Sequence, residues 1–344
     1  MLKMNSNRKV TTCCSNNNTN INITKSTSKL TFSDIMGSFK ARWGINRMNF
    51  NVIPGLYSLG TPDCNSPVMV TGNYKMSFDA LRKELTGVNT YILVLDTKGI
   101  NVWCAASKGT FGTNELAYRI KKVNLSQVVT HKTLILPQLS ATGVSAHEVQ
   151  KKSGFKVVYG PVRAEDIPHF LNNEMKATPE MRKVRFNLLD RLVLTPIEIV
   201  GSLKSSLIIF GIMFLLNLLS IGNFKSIDVI AYLGAIFSGC VLVPMFLPWI
   251  PGNAFSFKGW LIGLLWALLI VILNWRTPNV NFLNSVAYLL ILPSVASYYA
   301  MNFTGCSTYT SLSGVVKEMK VAVPLIAISI VLGSILLLVS NFAF

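Results

Sequence analysis

The chain has 344 residues, 51% of them hydrophobic, a formal charge of +17 and a mean hydropathy of +0.45. It is too apolar for an ordinary soluble enzyme and long enough for about two domains. The basic excess is uneven, with 27 of the 32 Lys and Arg and 13 of the 15 acids lying before residue 205. A basic segment beside an apolar one fits attraction to anionic lipid; with no recognised motif and no basic–aromatic interleaving, nucleic acid is excluded as a partner.

Residues 1–31 are rich in Asn, Thr and Ser, with few apolar side chains to pack, and read as a disordered tail. They lack the continuous apolar run of a secretory signal. Cys13 and Cys14 are adjacent but have no further ligand at metal-binding spacing. Residues 32–175 read as an α/β domain. Short buried strands at 68–70, 91–95, 127–129, 134–136 and 156–159 alternate with helices at 77–85, 113–123 and 145–153, for which Ser77 and Ser145 are the expected N-caps. That alternation predicts a mostly parallel, Rossmann-like sheet, which binds ligands beyond the carboxyl ends of its strands. In the stretch 91–112, YILVLDTKGINVWCAASKGTFG, Cys104 falls between a strand pattern and a helix pattern. By residue type alone, a single Cys in apolar surroundings reads as a small buried hydrophobe.

Residues 176–204 read as a linker whose helix, 178–191, carries Met181, Val184, Leu188 and Leu192 at helical spacing beside Arg182, Lys183, Arg185 and Arg191. A helix lying on anionic headgroups and a solvated linker both fit that pattern. From 205 to 344 the chain reads as an all-α transmembrane domain of five helices, at 205–221, 227–248, 257–275, 283–301 and 321–343. Each is close to the ~20 residues that cross a bilayer. Trp249, Trp260 and Trp275 lie near helix ends, where indoles favour the interface. Asn217 is the most deeply placed amide, and Asp228 and Lys258 lie near span ends. So few polar groups at mid-depth favour an anchor over a channel. The basic segment before the first span places the N-terminal domain in the cytoplasm and, with five spans, the C-terminus outside, in a multi-pass protein of the inner membrane.

None of the three histidines, His131, His147 and His169, lies in the Asp-x-His-x-x-Gly pattern of proteins that place a histidine below cobalt. No Walker loop, G-x-G-x-x-G or C-x-x-C is present, so a bound nucleotide, iron–sulfur cluster or structural zinc is not expected within this chain.

Asn101-Val102-Trp103-Cys104-Ala105-Ala106-Ser107-Lys108 closely resembles the signature N-(V/I)-W-C-A-(A/G)-G-K of the mercury-methylating corrinoid proteins, the HgcA family. Pro54-Gly55-Leu56-Tyr57, residues 73–79 (NYKMSFD), 134–138 (LILPQ), 157–163 (VVYGPVR) and Asn302-Phe303-Thr304-Gly305 also resemble that family, so the likeness runs over roughly residues 40 to 344. The resemblance implies a corrinoid-binding α/β domain, similar to that of the corrinoid iron–sulfur protein of the acetyl-CoA pathway, fused to a five-helix membrane domain. It implies a cobalamin or related corrinoid as cofactor, with Cys104 as lower axial ligand to cobalt. Asn101, Val102, Trp103, Ala105 and Ala106 would pack against the corrin ring, and Thr71, Lys98, Ser107, Lys108 and Gly109 would complete the cofactor-binding set. The implied activity is transfer of a methyl group from cobalt to Hg(II), with the methyl supplied by a donor protein or folate. The implied partner is HgcB, a ferredoxin-like protein with [4Fe–4S] clusters. A methyl carrier of one-carbon metabolism with another acceptor, and a non-enzymatic corrinoid-binding membrane protein, are the alternatives. One departure stands out, since the family has Gly where this chain has Ser107. If the backbone there is left-handed, the added Cβ costs on the order of 1 kcal/mol.

Overall fold

The computed structural model describes residues 21–274, 282–306 and 309–343. They divide into two units, one ending at Val184 and one running from Arg185, the latter taking in Arg42–Gly44 as well. Along the first unit run β1 (Ile23–Ser26), α1 (Phe32–Arg42), β2 (Gly55–Leu59), β3 (Val68–Gly72), α2 (Lys75–Glu84), β4 (Thr90–Leu95), α3 (Val102–Ser107), α4 (Thr113–Lys122), α5 (Leu125–Val128), β5 (Thr133–Leu136), α6 (Ala146–Ser153), β6 (Lys156–Tyr159) and α7 (Ile167–Asn172).

All six strands form one sheet in the order β1-β2-β4-β3-β5-β6. Neighbours are parallel except β2 and β4, which are antiparallel. The period of two along β4 sends Tyr91, Leu93 and Leu95 into a core shared with Ala105, Leu116 and Val149 of α3, α4 and α6. It sends Ile92 and Val94 to the opposite core, with Phe78 and Leu81 of α2 and Phe170 of α7. Helices therefore cover both faces, which lets central strands read as continuous apolar runs. The expected mixed α/β domain followed by a helical region with five long apolar helices is what the structure contains.

Several local expectations are corrected. The polar segment up to residue 31 is not all tail: Ile23, 6% exposed, pairs with Leu56, and β1 covers the edge of β2. Residues 1–20, including Cys13 and Cys14, lie outside the described residues. The stretch 127–129 is not a strand; Asn124 turns the chain at φ 48°, and Leu125 and Val128 bury one face of the helical turn α5. Ser77 does not cap α2, which starts two residues earlier after Tyr74. Ser145 occupies the N-cap position of α6 without a side-chain capping bond. No continuous helix covers 178–191: a 3₁₀ turn, Glu180–Arg182, is followed by extended chain, and Asn187 starts a new helix with a capping box to Asp190. Met181 belongs to the first unit's core, and its carbonyl accepts from Val162 N–H at 2.8 Å.

An ion-pair network holds α1. Asp34 accepts from Lys75 at 2.6 Å and Arg82 at 2.7 Å, and Asp79 from the same two cations at 2.7 Å each. Burial pushes the Asp34 carboxyl up, but hydrogen bonds from Lys75, Thr31 and Arg82 outweigh it and hold the group well below its ordinary 3.8. A depressed carboxylate stabilises the fold fully above its unfolded pKa, and that contribution is lost as pH falls from there toward the folded value. Unfolding midpoints should therefore drop as pH is lowered below about 4, and Asp34→Asn should flatten that slope. An unchanged slope in the variant would show that Asp34 contributes nothing.

The second unit comprises α8 (Leu188–Leu192), α9 (Thr195–Leu218), α10 (Ser226–Phe237), a π-helical turn at Ser238–Leu242, α11 (Val243–Phe246), α12 (Phe255–Asn274), α13 (Phe282–Asn302) and α14 (Leu312–Ala343). Among the described residues, five segments are long and apolar enough to cross a membrane, as a multi-pass protein requires: Leu188–Leu218, Ser226–Phe246, Phe255–Asn274, Phe282–Gly305 and Ser313–Ser340. The first starts well before residue 205, so Asn217 sits at the end of α9 rather than at depth, where it bonds Phe224 N–H and C=O at 2.8 Å. Lys258, 7% exposed, donates to the carbonyl of Leu247 at 2.8 Å and to that of Ile250, serving carbonyls left open at a helix end. Trp275 lies outside the described residues. In the most apolar 18-residue stretch of the fourth span 67% of the residues are buried, against 11% in the first and last, and α13 packs on α10, α12 and α14, so it is the central helix.

Candidate functional site

Chain order creates a switch point in the sheet. From β3 the chain crosses through α2 to β4 on one side, then returns through α3, α4 and α5 to β5 on the other side of β3. Ligands of open α/β sheets bind beyond the strand ends at such a point. A cavity of about 300 Å³ lies there, walled by Met69, Val70 and Thr71 of β3, Ser77, Ala80 and Leu81 of α2, the end of β5 with Pro137, and Gly160 to Val162 after β6. Asn101, Val102 and Trp103 close its remaining side.

The loop that delivers α3 is fixed by a residue outside it. Asn73 is 5% exposed, and its Oδ1 accepts from the N–H groups of Thr97 and Gly99, each at 3.0 Å. The Thr97 hydroxyl sits between Asn73 Oδ1 and the carbonyl of Ile100, at 2.8 and 2.7 Å. Lys98 and Gly99 both turn left-handed, with φ of 55° and 72°. A Cβ on Gly99 would also lie 2.8 Å from the carbonyl of Met48, so only glycine fits. Asn101 then caps α3, accepting from Cys104 N–H at 3.0 Å. Cys104 thus lies between β4 and α4 as expected, within the first turn of a short helix, α3, that the sequence pattern does not predict. It is a half-buried free thiol directly after the cavity-lining Trp103.

The residues singled out from sequence separate into three groups. Thr71, Asn101, Val102 and Trp103 line the cavity. Ala105 and Ala106, expected against a ligand, are instead 0% and 3% exposed and belong to the domain core, where the backbone of Ala106 lies against Gly143 so closely that a Cβ there would not fit. Lys98, Ser107, Lys108 and Gly109 are exposed and do not line the cavity. Ser107 is the last residue of α3 and has no positive φ; the left-handed residue is Gly109, at φ 77°. The feared strain is absent because the helix continues through residue 107 and reverses two residues later. Ser107→Gly should accordingly bring no gain in stability, and a loss below about 1 kcal/mol from helix propensity; a rise in unfolding midpoint would contradict this.

Two polar residues stand in or beside the cavity. Thr71 lines it and is 3% exposed. Gln138, between the lining residues Pro137 and Leu139, has a buried Oε1 with no partner among the described residues. Asn73, Gln138 and Gly160-Pro161 stood in the sequence only as parts of a family likeness; none has a spacing that reveals its role. His131 is structural, its Nε2 meeting the carbonyl of Ser66 at 2.9 Å.

Residues 18–171 match the family model of the CO dehydrogenase/acetyl-CoA synthase delta subunit. The N-terminal domain is similar to corrinoid-protein subunits. The corrinoid/iron-sulfur protein large subunit of Moorella thermoacetica is 32% identical over 117 residues, which are 33% of this chain and 26% of that protein. The acetyl-CoA decarbonylase/synthase complex subunit gamma of Methanopyrus kandleri is 30% identical over 125 residues, 36% of this chain and 27% of the relative. That of Methanothermobacter thermautotrophicus is 32% identical over 123 residues, 35% and 26%. The chain thus spans about a quarter of the length of these relatives, and the matched region ends before the helical unit.

Proposed function

We propose that this chain is a membrane-anchored corrinoid protein that accepts a methyl group and passes it to Hg(II), as a member of the HgcA family. The observation that carries the reading is the placement of the Asn101-to-Lys108 motif: Trp103 lines the cavity at the sheet's switch point, and Cys104 follows it half-exposed on a helix fixed by Asn73 and Asn101. The residues fit the cofactor in kind. Apolar walls suit the edge of a macrocycle or an aromatic base, and the unpaired Gln138 Oε1 beside them suits a side-chain amide.

A bound corrinoid would supply a methyl-carrying cobalt centre. Cys104, as a thiolate and soft donor, is the residue that would hold that metal, and the chemistry the group would supply is transfer of its methyl to a thiophilic cation. Asn101 holds the backbone of that ligand, Val102 and Trp103 keep water from it, and Lys98 and Lys108 present positive charge outside the cavity. The methyl would come from a donor protein or folate, and electrons from HgcB. We place the first unit in the cytoplasm and the C-terminus outside, following the basic residues ahead of the first span.

The similarity to acetyl-CoA decarbonylase/synthase subunits favours, as second reading, a methyl carrier of one-carbon metabolism acting on another acceptor. Reconstituting the purified full chain with cobalamin and recording its visible spectrum, then adding a methyl donor and Hg(II), separates the readings. The expected result is a retained corrin spectrum and methylmercury. A retained spectrum with no methylmercury moves the function to the second reading, and no retained corrin overturns both.

A further inference from the structure

The first helix is built with its apolar face outward. On a helix of about 3.6 residues per turn, Phe32, Ile35, Met36 and Phe39 of α1 fall within an arc of about 100°. All four are exposed, at 76%, 56%, 37% and 56%. Asp34 and Ala41 occupy the opposite side and are 8% and 0% exposed. The salt bridges from Asp34 to Lys75 and Arg82 fix this orientation, so α1 cannot roll its apolar stripe inward without breaking both. The chain beyond it continues the exposed apolar surface with Ile45, Met48 and Ile53, at 58%, 65% and 80%. Lys40 and Arg42 fall on opposite flanks of the stripe by helical angle. Between residues 21 and 62 stand Lys25, Lys29, Lys40, Arg42 and Arg47, against the single acid Asp34, which is turned inward.

We propose that α1 and the following chain to Ile53 form a lipid-docking element, its aromatic and aliphatic side chains entering the interfacial zone of an anionic bilayer while the flanking cations meet headgroups. The pattern of a bulky apolar face edged by Lys and Arg is that of helices lying in the plane of a membrane. A bilayer is the occupant because the chain itself carries five segments able to cross one, which keep a lipid surface within covalent reach. The charge agrees, because the only acid in the segment is consumed internally and cations alone edge the stripe. This inference does not rest on the corrinoid reading.

Hydrogen exchange by mass spectrometry on the full chain tests it, in nanodiscs of phosphatidylcholine alone and of phosphatidylcholine with phosphatidylglycerol. Exchange across 32–53 should slow roughly tenfold or more in the anionic discs, the order supplied by one or two headgroup-bound cations, and the difference should shrink in high salt. Phe32→Ser with Phe39→Ser should abolish it while leaving exchange in β3 and β4 unchanged, since both side chains are exposed and outside the core. Equal exchange in the two kinds of disc, or equal behaviour of variant and parent, overturns the proposal. Protection that follows the number of chains per disc rather than lipid charge also overturns it and assigns the face to a second copy.

Discussion

Replacing Cys104 by alanine is expected to alter the visible spectrum of bound corrinoid and lower methyl transfer more than roughly 100-fold, because loss of even the outer partners of a metal ligand costs ~10–100-fold. The protein should still fold. Cys104 is half-buried at a helix surface and absent from both core clusters, and its backbone N–H, not its thiol, receives the Asn101 cap. Cys64→Ala is the matched control, a half-buried cysteine outside any disulfide, in the loop before β3 and not lining the cavity. Cys104→His is more informative still. Imidazole also ligates cobalt but donates less electron density, so coordination should return without full transfer to an electrophilic metal. Parental spectrum and rate in Cys104→Ala would return the residue to a packing role, and the mercury chemistry would fall with it.

Asn73→Ala should cost about 2–6 kcal/mol, because it strands the buried N–H groups of Thr97 and Gly99 at ~1–3 kcal/mol each. That is a large part of the ~5–15 kcal/mol that holds a typical domain together. Release of the loop 96–101 should also displace Asn101 and Trp103, so corrinoid retention should fall without any change in a residue that lines the cavity. Asn73→Asp keeps an acceptor but sets a second carboxylate near Asp96, whose Oδ1 now lies 3.4 Å from Asn73 Nδ2. An intermediate loss is expected. Thermal unfolding and hydrogen exchange of the Thr97 and Gly99 amides give the measurement, and unchanged protection of those two amides in Asn73→Ala would refute the role.

The sheet core was legible in the apolar run at 91–95, because burial on both faces demands consecutive β-branched and aromatic residues whatever lies on either side. The long helices were legible for the same reason, since a bilayer imposes length and apolarity directly on sequence. Side-chain direction was not. Ala105 and Ala106 resemble their neighbours in any motif, and only the start of α3 at Val102 decides that they turn into the core while Trp103 turns to the cavity. Asn73 was illegible because its partners lie 24 and 26 residues away. Thr71 could be named, but its place in a cavity wall becomes evident only once β5 and α2 stand around it. The linker failed differently: periodicity at 178–191 suggested one helix, yet Asn187 offers a competing cap that restarts the chain.

β1 touches the sheet through β2 alone. A chain trimmed to begin at α1 would leave the outer side of β2 as a bare row of N–H and C=O groups, beside the deeply buried Leu56 and Leu59. Such a row recruits strands from other molecules. The few residues from Ile23 to Ser26, hidden in a segment that looks like expendable spacer, therefore act as a guard against self-association, and shortening the N-terminus past them would trade a stable domain for a sticky one.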